Sequence, residues 1–235
     1  MSYLDAATGA VVSELPGEAK AAFIRRTYGH LAVAIAAFAL LESQLLKMGL
    51  GEQAMALIST SRWSWLIVLG AFMLVGTVAD KWARSNYSRE LQYAGLGLYI
   101  VAEAFIFLPL IYMATRYAPD VLPNAALITG SLVAGLTMVV FTTRKDFSFM
   151  GPALAIGGVV AMGIIIASIA FGFSLGMFFS GAMIIFSAGC VLYTTSNILH
   201  VYREDQHVAA SLSLFASVAL MFWYVVQFLM SFGSD

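Results

Sequence analysis

Seven apolar runs occupy most of this chain, and the charged residues lie almost entirely between them. The runs cover residues 28–46, 63–79, 91–113, 121–141, 150–173, 175–198 and 208–231. Most of them approach or exceed the length of about 20 residues with which a helix crosses about 30 Å of hydrocarbon. Lipid offers the backbone no hydrogen-bond partner, so each run must satisfy its own backbone as a helix. The sequence therefore predicts an all-α integral membrane protein, a bundle of seven transmembrane helices.

The composition leaves little chain for anything outside the membrane. Hydrophobic residues make up 61% of the chain and charged residues 11%, which is far from the average of soluble proteins. We therefore expect a short cytoplasmic N-terminal tail, residues 1–26, followed by a single transmembrane domain, residues 27–235. The tail contains no apolar core, so it does not resemble a cleavable signal peptide, and the first run is expected to remain as a signal anchor.

The cations are distributed unequally between alternate connections. One side of the predicted bundle collects nine of the twelve Lys and Arg residues: Lys20, Arg25, Arg26, Lys81, Arg84, Arg89, Arg144, Lys145 and Arg203. The other side has Lys47, Arg62 and Arg116. Because cytoplasmic loops of membrane proteins are rich in Lys and Arg, this pattern predicts a cytoplasmic N-terminus and places Asp235 outside. Trp63 and Trp65 at one end of the second run, with Trp82 at the other, fit aromatic belts at the two interfaces.

Two acidic residues, Glu42 and Glu103, fall inside the predicted spans. A carboxylate at mid-bilayer costs roughly 2.5–3.5 kcal/mol, so we expect Glu103 to face the bundle interior, either in an ion or proton pathway or as a polar packing contact. Glu42 lies in the outer half of the first run, where we expect it to reach outward to the interface beside Gln44. Pro109, six residues after Glu103, is expected to kink the third helix and free a backbone carbonyl near the carboxyl.

Other patterns carry weaker chemical signals. The three histidines, His30, His200 and His207, fall on the predicted cytoplasmic side and make a zinc hydrolase a distant alternative, although their spacing matches no strong zinc motif. Residues 172–176 spell Gly-x-Ser-x-Gly, but this pattern requires a strand before the serine to act as a nucleophile elbow.

These signals predict no enzyme and no cofactor. The single Cys190 excludes an intramolecular disulfide, and the net charge of −1 argues against nucleic-acid binding.

The most specific motif follows the fourth run. It reads Thr142, Thr143, Arg144, Lys145, Asp146, Phe147, Ser148, Phe149, Met150 and Gly151. This stretch resembles the Thr-Thr-Arg/Lys-Lys-Asp-x-Ser-Phe-x-Gly signature of the Bax inhibitor-1 (TMBIM) family. The resemblance extends to Glu103 with Pro109, to residues 193–200 and to residues 212–215. It implies a seven-helix bundle with the N-terminus inside and the C-terminus outside.

The resemblance also implies where a gate would lie. Members that leak calcium resemble pH-gated channels in which two aspartates, one on helix 6 and one on helix 7, share a proton. The matching positions here are Thr194 and Ser217, so the proton-sharing pair is replaced by two hydroxyl groups that do not titrate near neutral pH. We therefore place Glu103, Thr194 and Ser217 on a hypothetical ion pathway that lacks the two-aspartate pH sensor.

The bacterial YccA-like branch of the family also lacks both aspartates, and its Thr-Ser-Asn-Ile-Ile-His segment is similar to residues 195–200 here. Members of that branch restrain the membrane-bound AAA protease FtsH. The resemblance therefore favours a non-enzymatic modulator or interaction partner of such a protease in a bacterial inner membrane. The alternative is a calcium or proton leak of the Bax inhibitor-1 type.

Overall fold

The structure is a computed structural model that describes residues 10–85 and 88–232. These residues contain eight α-helices: α1 (Gly17–Lys47), α2 (Leu50–Ser59), α3 (Ser64–Ala83), α4 (Arg89–Tyr117), α5 (Val121–Thr143), α6 (Gly151–Phe171), α7 (Gly176–His200) and α8 (His207–Phe232). Seven of them, all except α2, are long and apolar enough to cross a membrane, which confirms the seven predicted runs. The predicted position of Asp235 and the first nine residues of the tail lie outside the described residues.

The polar interruption between the first two runs folds into a short helix that the sequence did not predict. Gly49, with φ of 76°, turns the chain at the end of α1, and α2 begins at Leu50. Gly51 is buried against the Tyr112 ring near the end of α4, where a β-carbon would come within 2.7 Å of the ring. This close contact holds α2 across α4 and explains why a glycine stands there.

Two helices form the centre of the bundle. In both α4 and α8, half of the most apolar 18-residue window is buried inside the protein, compared with 11% in α3 and α6. The central helices therefore bury apolar side chains against protein, whereas α3 and α6 expose most of theirs at the periphery, where a bilayer would cover them. Polar side chains on the buried faces of these two helices, such as Glu103 on α4 and Ser217 on α8, therefore lie inside the protein.

The two ends of the bundle differ, and we name them by their connections. The loop end contains the α5–α6 connection with the 142–151 motif, together with the α7–α8 connection. The hairpin end contains the Gly172–Gly176 turn between α6 and α7, together with α2. All nine cations that the sequence placed on one side lie at or beside helix ends at the loop end.

The loop-end half is closely packed. The α4 backbone passes so near α3 at Gly95 that an added β-carbon would lie 2.5 Å from the Ala79 carbonyl oxygen and 2.6 Å from the Ala83 nitrogen. Small residues allow this approach, as in many membrane helix pairs. The largest buried apolar cluster surrounds the contact and includes Phe23, Leu31, Leu96, Ile198, Leu214 and Phe215.

Candidate functional site

Glu103 lies in the interior of the bundle, as the sequence predicted, and is 5% exposed. It shares a face of α4 with Tyr99, one turn earlier, because residues four apart on a helix are neighbours. The Tyr99 hydroxyl and the Glu103 carboxyl group are neighbours that interact electrostatically. The sequence analysis did not identify Tyr99, although the i, i+4 spacing of the two residues was a signal for it.

Both side chains line a cavity of about 410 Å³ between α3, α4, α6, α7 and α8. Most of its wall is aromatic or aliphatic. Its polar lining consists of Tyr99, Glu103, Cys190, Ser217, Tyr224 and Gln227. The cavity extends from the middle of the bundle toward the hairpin end, because its α3 residues lie in the first half of that helix and its α8 residues run from the middle of α8, at Ala216 and Ser217, into the second half. Its size and its few polar groups are typical of a small-molecule site.

The structure brings together the two positions at which the family resemblance implies a pair of aspartates. Thr194 on α7 and Ser217 on α8 are both buried, and their hydroxyl oxygens lie 3.0 Å apart. Ser217 also donates to the Ser213 carbonyl oxygen at 3.0 Å. The sequence correctly placed these two side chains at one site, and Ser217 joins them to the cavity that contains Glu103. The pair is hydrogen-bonded and uncharged.

Glu42 does not reach outward, so that expectation was wrong. It is 3% exposed, and its carboxylate oxygens have no hydrogen-bond partner among the described residues. The reason is its position on the buried stripe of α1, which continues from Leu31 and Ala34 through Glu42 to Leu45 at helical spacing. Glu42 is not among the residues that line the cavity.

The 142–151 motif forms a loop that is fixed to α7. Arg144 adopts the left-handed conformation, with φ of 53°, and ends α5. Asp146 Oδ1 accepts a hydrogen bond from the Ser148 backbone N–H at 2.8 Å. The Phe147 backbone N–H donates to Ser196 Oγ on α7 at 2.8 Å, and this hydroxyl lies 3.4 Å from Asp146 Oδ1. The loop therefore has a defined shape, determined by its own backbone and by one buried serine.

These contacts have an electrostatic consequence at Asp146, which lies outside the spans. The Ser148 backbone N–H is the main cause that lowers the pKa of the Asp146 carboxyl, with smaller contributions from the Ser148 hydroxyl and from His200. Asp146 is exposed, as are Thr142, Thr143, Arg144 and Lys145, whereas Ser148 is half-buried. The loop thus presents two cations to its surroundings while its carboxylate is held by hydrogen bonds.

A second polar cluster at the loop end was missed by the sequence analysis. Arg84 Nε forms an ion pair with Asp80 at 2.8 Å, and its Nη2 donates to the Tyr202 and Ser213 oxygens at 3.4 and 3.3 Å. The Tyr202 hydroxyl donates to Ser213 Oγ at 2.8 Å. The cluster ties the end of α3 to the α7–α8 connection and to α8. Only the i, i+4 spacing of Asp80 and Arg84 signalled it.

The three histidines do not converge on one point. His30 and His207 have ring centroids 5.1 Å apart, and His30 Nε2 lies 3.1 Å from the Tyr93 hydroxyl. His200 instead places Nδ1 3.0 Å from the Ser196 carbonyl oxygen, beside the motif loop. Within residues 10–85 and 88–232, no three His, Cys, Asp or Glu side chains are grouped so that they could hold a metal ion. The geometry therefore gives the zinc hydrolase alternative no support.

The Gly-x-Ser-x-Gly pattern lies in the expected turn between α6 and α7. Gly172 and Gly176 both have positive φ, at 76° and 63°, which a tight helix–helix turn requires. Since a helix and not a strand precedes it, the turn lacks the setting of a nucleophile elbow.

Trp65 also departs from expectation: it lines the cavity and stacks on Trp223 at 5.8 Å, while Trp63 and Trp82 are exposed.

Comparison with known proteins agrees with the motif. Residues 20–234 match the family described as "Inhibitor of apoptosis-promoting Bax1". The chain belongs to the Bax inhibitor-1 family. No solved structure gives a significant match. Membership accounts for the seven apolar helices and for the motif loop, but it assigns no role to the cavity.

Several curated relatives match parts of the chain. An uncharacterized protein of Pseudomonas aeruginosa is 31% identical over 53% of this chain and 56% of its own length. "Modulator of FtsH protease YccA" of Escherichia coli is 38% identical over 35% of this chain and 38% of its own length. "Protein LIFEGUARD 4" of Arabidopsis thaliana is 29% identical over 58% of this chain and 56% of its own length. The chain thus spans about half the length, or less, of these relatives.

Proposed function

We propose that this Bax inhibitor-1 family protein is a non-enzymatic, multi-pass protein of a bacterial inner membrane that binds and modulates an AAA protease of the FtsH type. The similarity to a relative named as a modulator of FtsH protease supports this function. The match covers about a third of each chain, so the partner belongs to the proposal and is not inherited from the relative.

The hydrogen bond between Thr194 and Ser217 is the observation that favours modulation over gated conduction. Two carboxylates at this distance would share a proton and exchange it near neutral pH. Two hydroxyl groups have no charge to change and offer a divalent cation no carboxylate ligand. The 3.0 Å contact also satisfies both groups within the helix pair. The position therefore joins α7 to α8 instead of forming a titrating gate.

The motif loop is the surface that we assign to the partner. Arg144 and Lys145 are exposed on a backbone that Asp146 and Ser196 hold in place, so the loop can be recognised without first becoming ordered. The proposed orientation, with the nine cations of the loop end in the cytoplasm, places this loop on the cytoplasmic side.

Affinity purification of the full chain in mild detergent tests the proposal. We expect an AAA protease to co-purify at a stoichiometric level. Arg144→Asn, which tolerates the left-handed conformation, combined with Lys145→Gln should reduce its recovery. Lys47→Gln at the hairpin end is the matched control and should leave recovery unchanged. Absence of any AAA protease from the wild-type preparation would contradict the proposed partner. Equal recovery with the loop variant would contradict the assignment of the motif loop as the partner surface.

Reporter fusions test the proposed orientation. We expect alkaline phosphatase fused after Asp235 to be active and a fluorescent protein fused there to stay dark, because the C-terminus is placed outside. An inactive phosphatase fusion together with a bright fluorescent fusion would reverse the orientation. The motif loop would then lie on the side away from a cytoplasmic partner.

An ion leak is the second candidate, and the cavity is the observation that favours it. Glu103 and Ser217 line this space near the middle of the membrane. The leak is measured as calcium or proton flux into liposomes that contain either the purified chain or its Glu103→Gln variant. We expect weak flux that Glu103→Gln changes little. Robust wild-type flux that the variant abolishes while remaining folded would replace the modulator with a channel.

A further inference from the structure

The cavity around Glu103 has the chemistry of a binding site for a hydrophobic cation. Its wall is built mainly from large apolar side chains, and it encloses about 410 Å³. Ligand pockets in proteins generally have 300–1,000 Å³ of space, an apolar wall and a few polar groups that orient the ligand. A molecule that enters this cavity must therefore present a mostly apolar surface.

The ionisable side chains in the cavity wall favour one sign of ligand charge. Glu103 is the acidic residue in its wall, and the described residues of the wall include no Lys, Arg or His. The neighbouring Tyr99 hydroxyl is neutral and supplies no positive charge. A carboxylate in apolar surroundings is strongly destabilised unless a cation or a proton neutralises it. A ligand that carries one positive charge would supply the missing partner.

The aromatic rings of the wall favour the same sign of charge. Trp65 and Trp223 are stacked with centroids 5.8 Å apart, and Phe107 meets Trp223 edge-on at 4.9 Å. The faces of such rings are electron-rich and attract ammonium groups, by about 2 kcal/mol where water is excluded. Anions gain nothing from these faces, and neutral molecules gain only the burial of their apolar surface.

The packing of α6 allows such a ligand to arrive from the lipid. This helix packs chiefly against α7 and the turn that precedes it, while Ile165 on its inner face lines the cavity opposite α3. At the hairpin end, Arg62 Nη1 donates to the Ala170 carbonyl oxygen at 3.4 Å and joins the α3 side to α6. Hydrophobic amines partition into bilayers, so we expect them to enter from the lipid side, between the peripheral helices α3 and α6.

We propose that this cavity binds a hydrophobic monocation, an amine or quaternary ammonium compound whose apolar body fills the aromatic wall and whose positive charge pairs with Glu103. The proposal goes beyond the protease partnership and does not depend on it, since the partner surface lies at the loop end and the cavity extends toward the hairpin end.

Three probes with the same adamantane cage separate charge from shape: 1-adamantanamine (cationic), 1-adamantanol (neutral) and adamantane-1-carboxylic acid (anionic). Their binding to the purified full chain is followed by tryptophan fluorescence, since Trp65 and Trp223 lie in the wall, and by thermal stability. We expect the amine to bind saturably and the alcohol at least about tenfold more weakly, as an interaction of about 2 kcal/mol with the rings and an ion pair imply. The acid should not bind.

Two variants locate the charge. Glu103→Gln should weaken binding of the amine about tenfold and remove the preference for amine over alcohol. Glu42→Gln is the matched control, because it removes the other buried carboxyl without touching the cavity, and amine binding should be unchanged. Ala216→Phe, which places a large side chain in the cavity, should prevent binding of both the amine and the alcohol.

Equal binding of amine and alcohol to the wild type would overturn the proposal, because the cavity would then accept neutral apolar molecules such as lipid chains. Absence of any saturable response to the amine would overturn it as well. The comparison of amine with alcohol needs only the wild type, so it decides the question even if Glu103→Gln fails to fold. Loss of the protease partner in the purification experiment would leave these results unaffected.

Discussion

The loop-end half and the hairpin-end half of the bundle share the same helices but pack them differently. At the loop end, backbones touch at Gly95, and polar side chains such as Arg84 and Ser196 have hydrogen-bond partners on other elements. In the half toward the hairpin end, side chains of α3, α4, α6, α7 and α8 surround a cavity. Glu103 there has one partner, on its own helix.

This difference indicates that the two halves serve different purposes. Dense packing, with hydrogen bonds between elements such as those of Arg84 and Ser196, holds one arrangement, which suits a surface that another protein recognises. A cavity with a carboxyl group gives up packing contacts and is retained when it holds something else. The protein therefore combines a rigid end with an end that can accommodate a ligand.

The largest expected effect comes from disturbing the close packing of the loop end. Gly95→Ala should destabilise the protein by about 3 kcal/mol, because the methyl group meets the α3 backbone, which cannot move aside as a side chain can. Gly97→Ala, on the same helix with open space around it, should be neutral or stabilising by up to about 1 kcal/mol. Unfolding in mixed detergent measures both. Equal effects would show that the two helices are not in backbone contact.

Replacing each buried carboxyl group tests whether loose packing in the hairpin-end half is limited to the cavity. Glu42→Met removes two unpartnered oxygens from a packed stripe and should stabilise the protein by about 1–3 kcal/mol. Glu103→Met removes the polar neighbour of the Tyr99 hydroxyl and should destabilise the protein by about 1 kcal/mol. Both are measured by the same unfolding assay. Destabilisation by Glu42→Met would mean that its carboxyl group has a partner such as buried water.

Replacing the hydroxyl pair tests whether the junction between the halves can become a gate. Thr194→Asp with Ser217→Asp places two carboxyl groups where the hydroxyl oxygens are 3.0 Å apart, so they should share a proton. Calcium flux into liposomes should then change severalfold between about pH 6 and pH 8, while the wild type stays flat. Thr194→Asn with Ser217→Asn is the uncharged control. A steep pH response in the wild type would show that another group controls conduction.

The smallest effect concerns the pH dependence of the motif loop. Hydrogen bonds lower the pKa of Asp146 in the folded protein, so its stabilising contribution is present above the unfolded pKa of about 3.9 and is lost as pH falls through the lower folded value. We expect the protection of the loop amides against hydrogen exchange, measured relative to the intrinsic exchange rate at each pH, to fall in that acidic range. In Asp146→Asn the loop amides should lose this pH dependence. An unchanged pH profile in the variant would assign the effect to another group.

Much of the candidate site could be predicted from the sequence. The apolar runs located the helices, and the family motif paired Thr194 with Ser217 although 22 residues separate them along the chain. The inward position of Glu103 followed from the cost of a carboxylate in lipid. For Glu42, by contrast, a position near the end of the first run suggested that the carboxyl group would reach water. Its burial follows from its position on the buried stripe of α1.

The sequence by itself determined that the chain forms seven membrane-spanning helices, because an apolar run in lipid has no other way to satisfy its backbone. It also determined the unequal distribution of cations and the absence of titrating groups at Thr194 and Ser217. Only the tertiary structure decided which faces of the helices meet, and hence that Glu103 lines a cavity while Glu42 is buried with no hydrogen-bond partner in the part of the chain that the structure describes. Helices that are apolar on all sides carry little periodic signal of their contact faces, so packing between small residues such as Gly95 makes that choice.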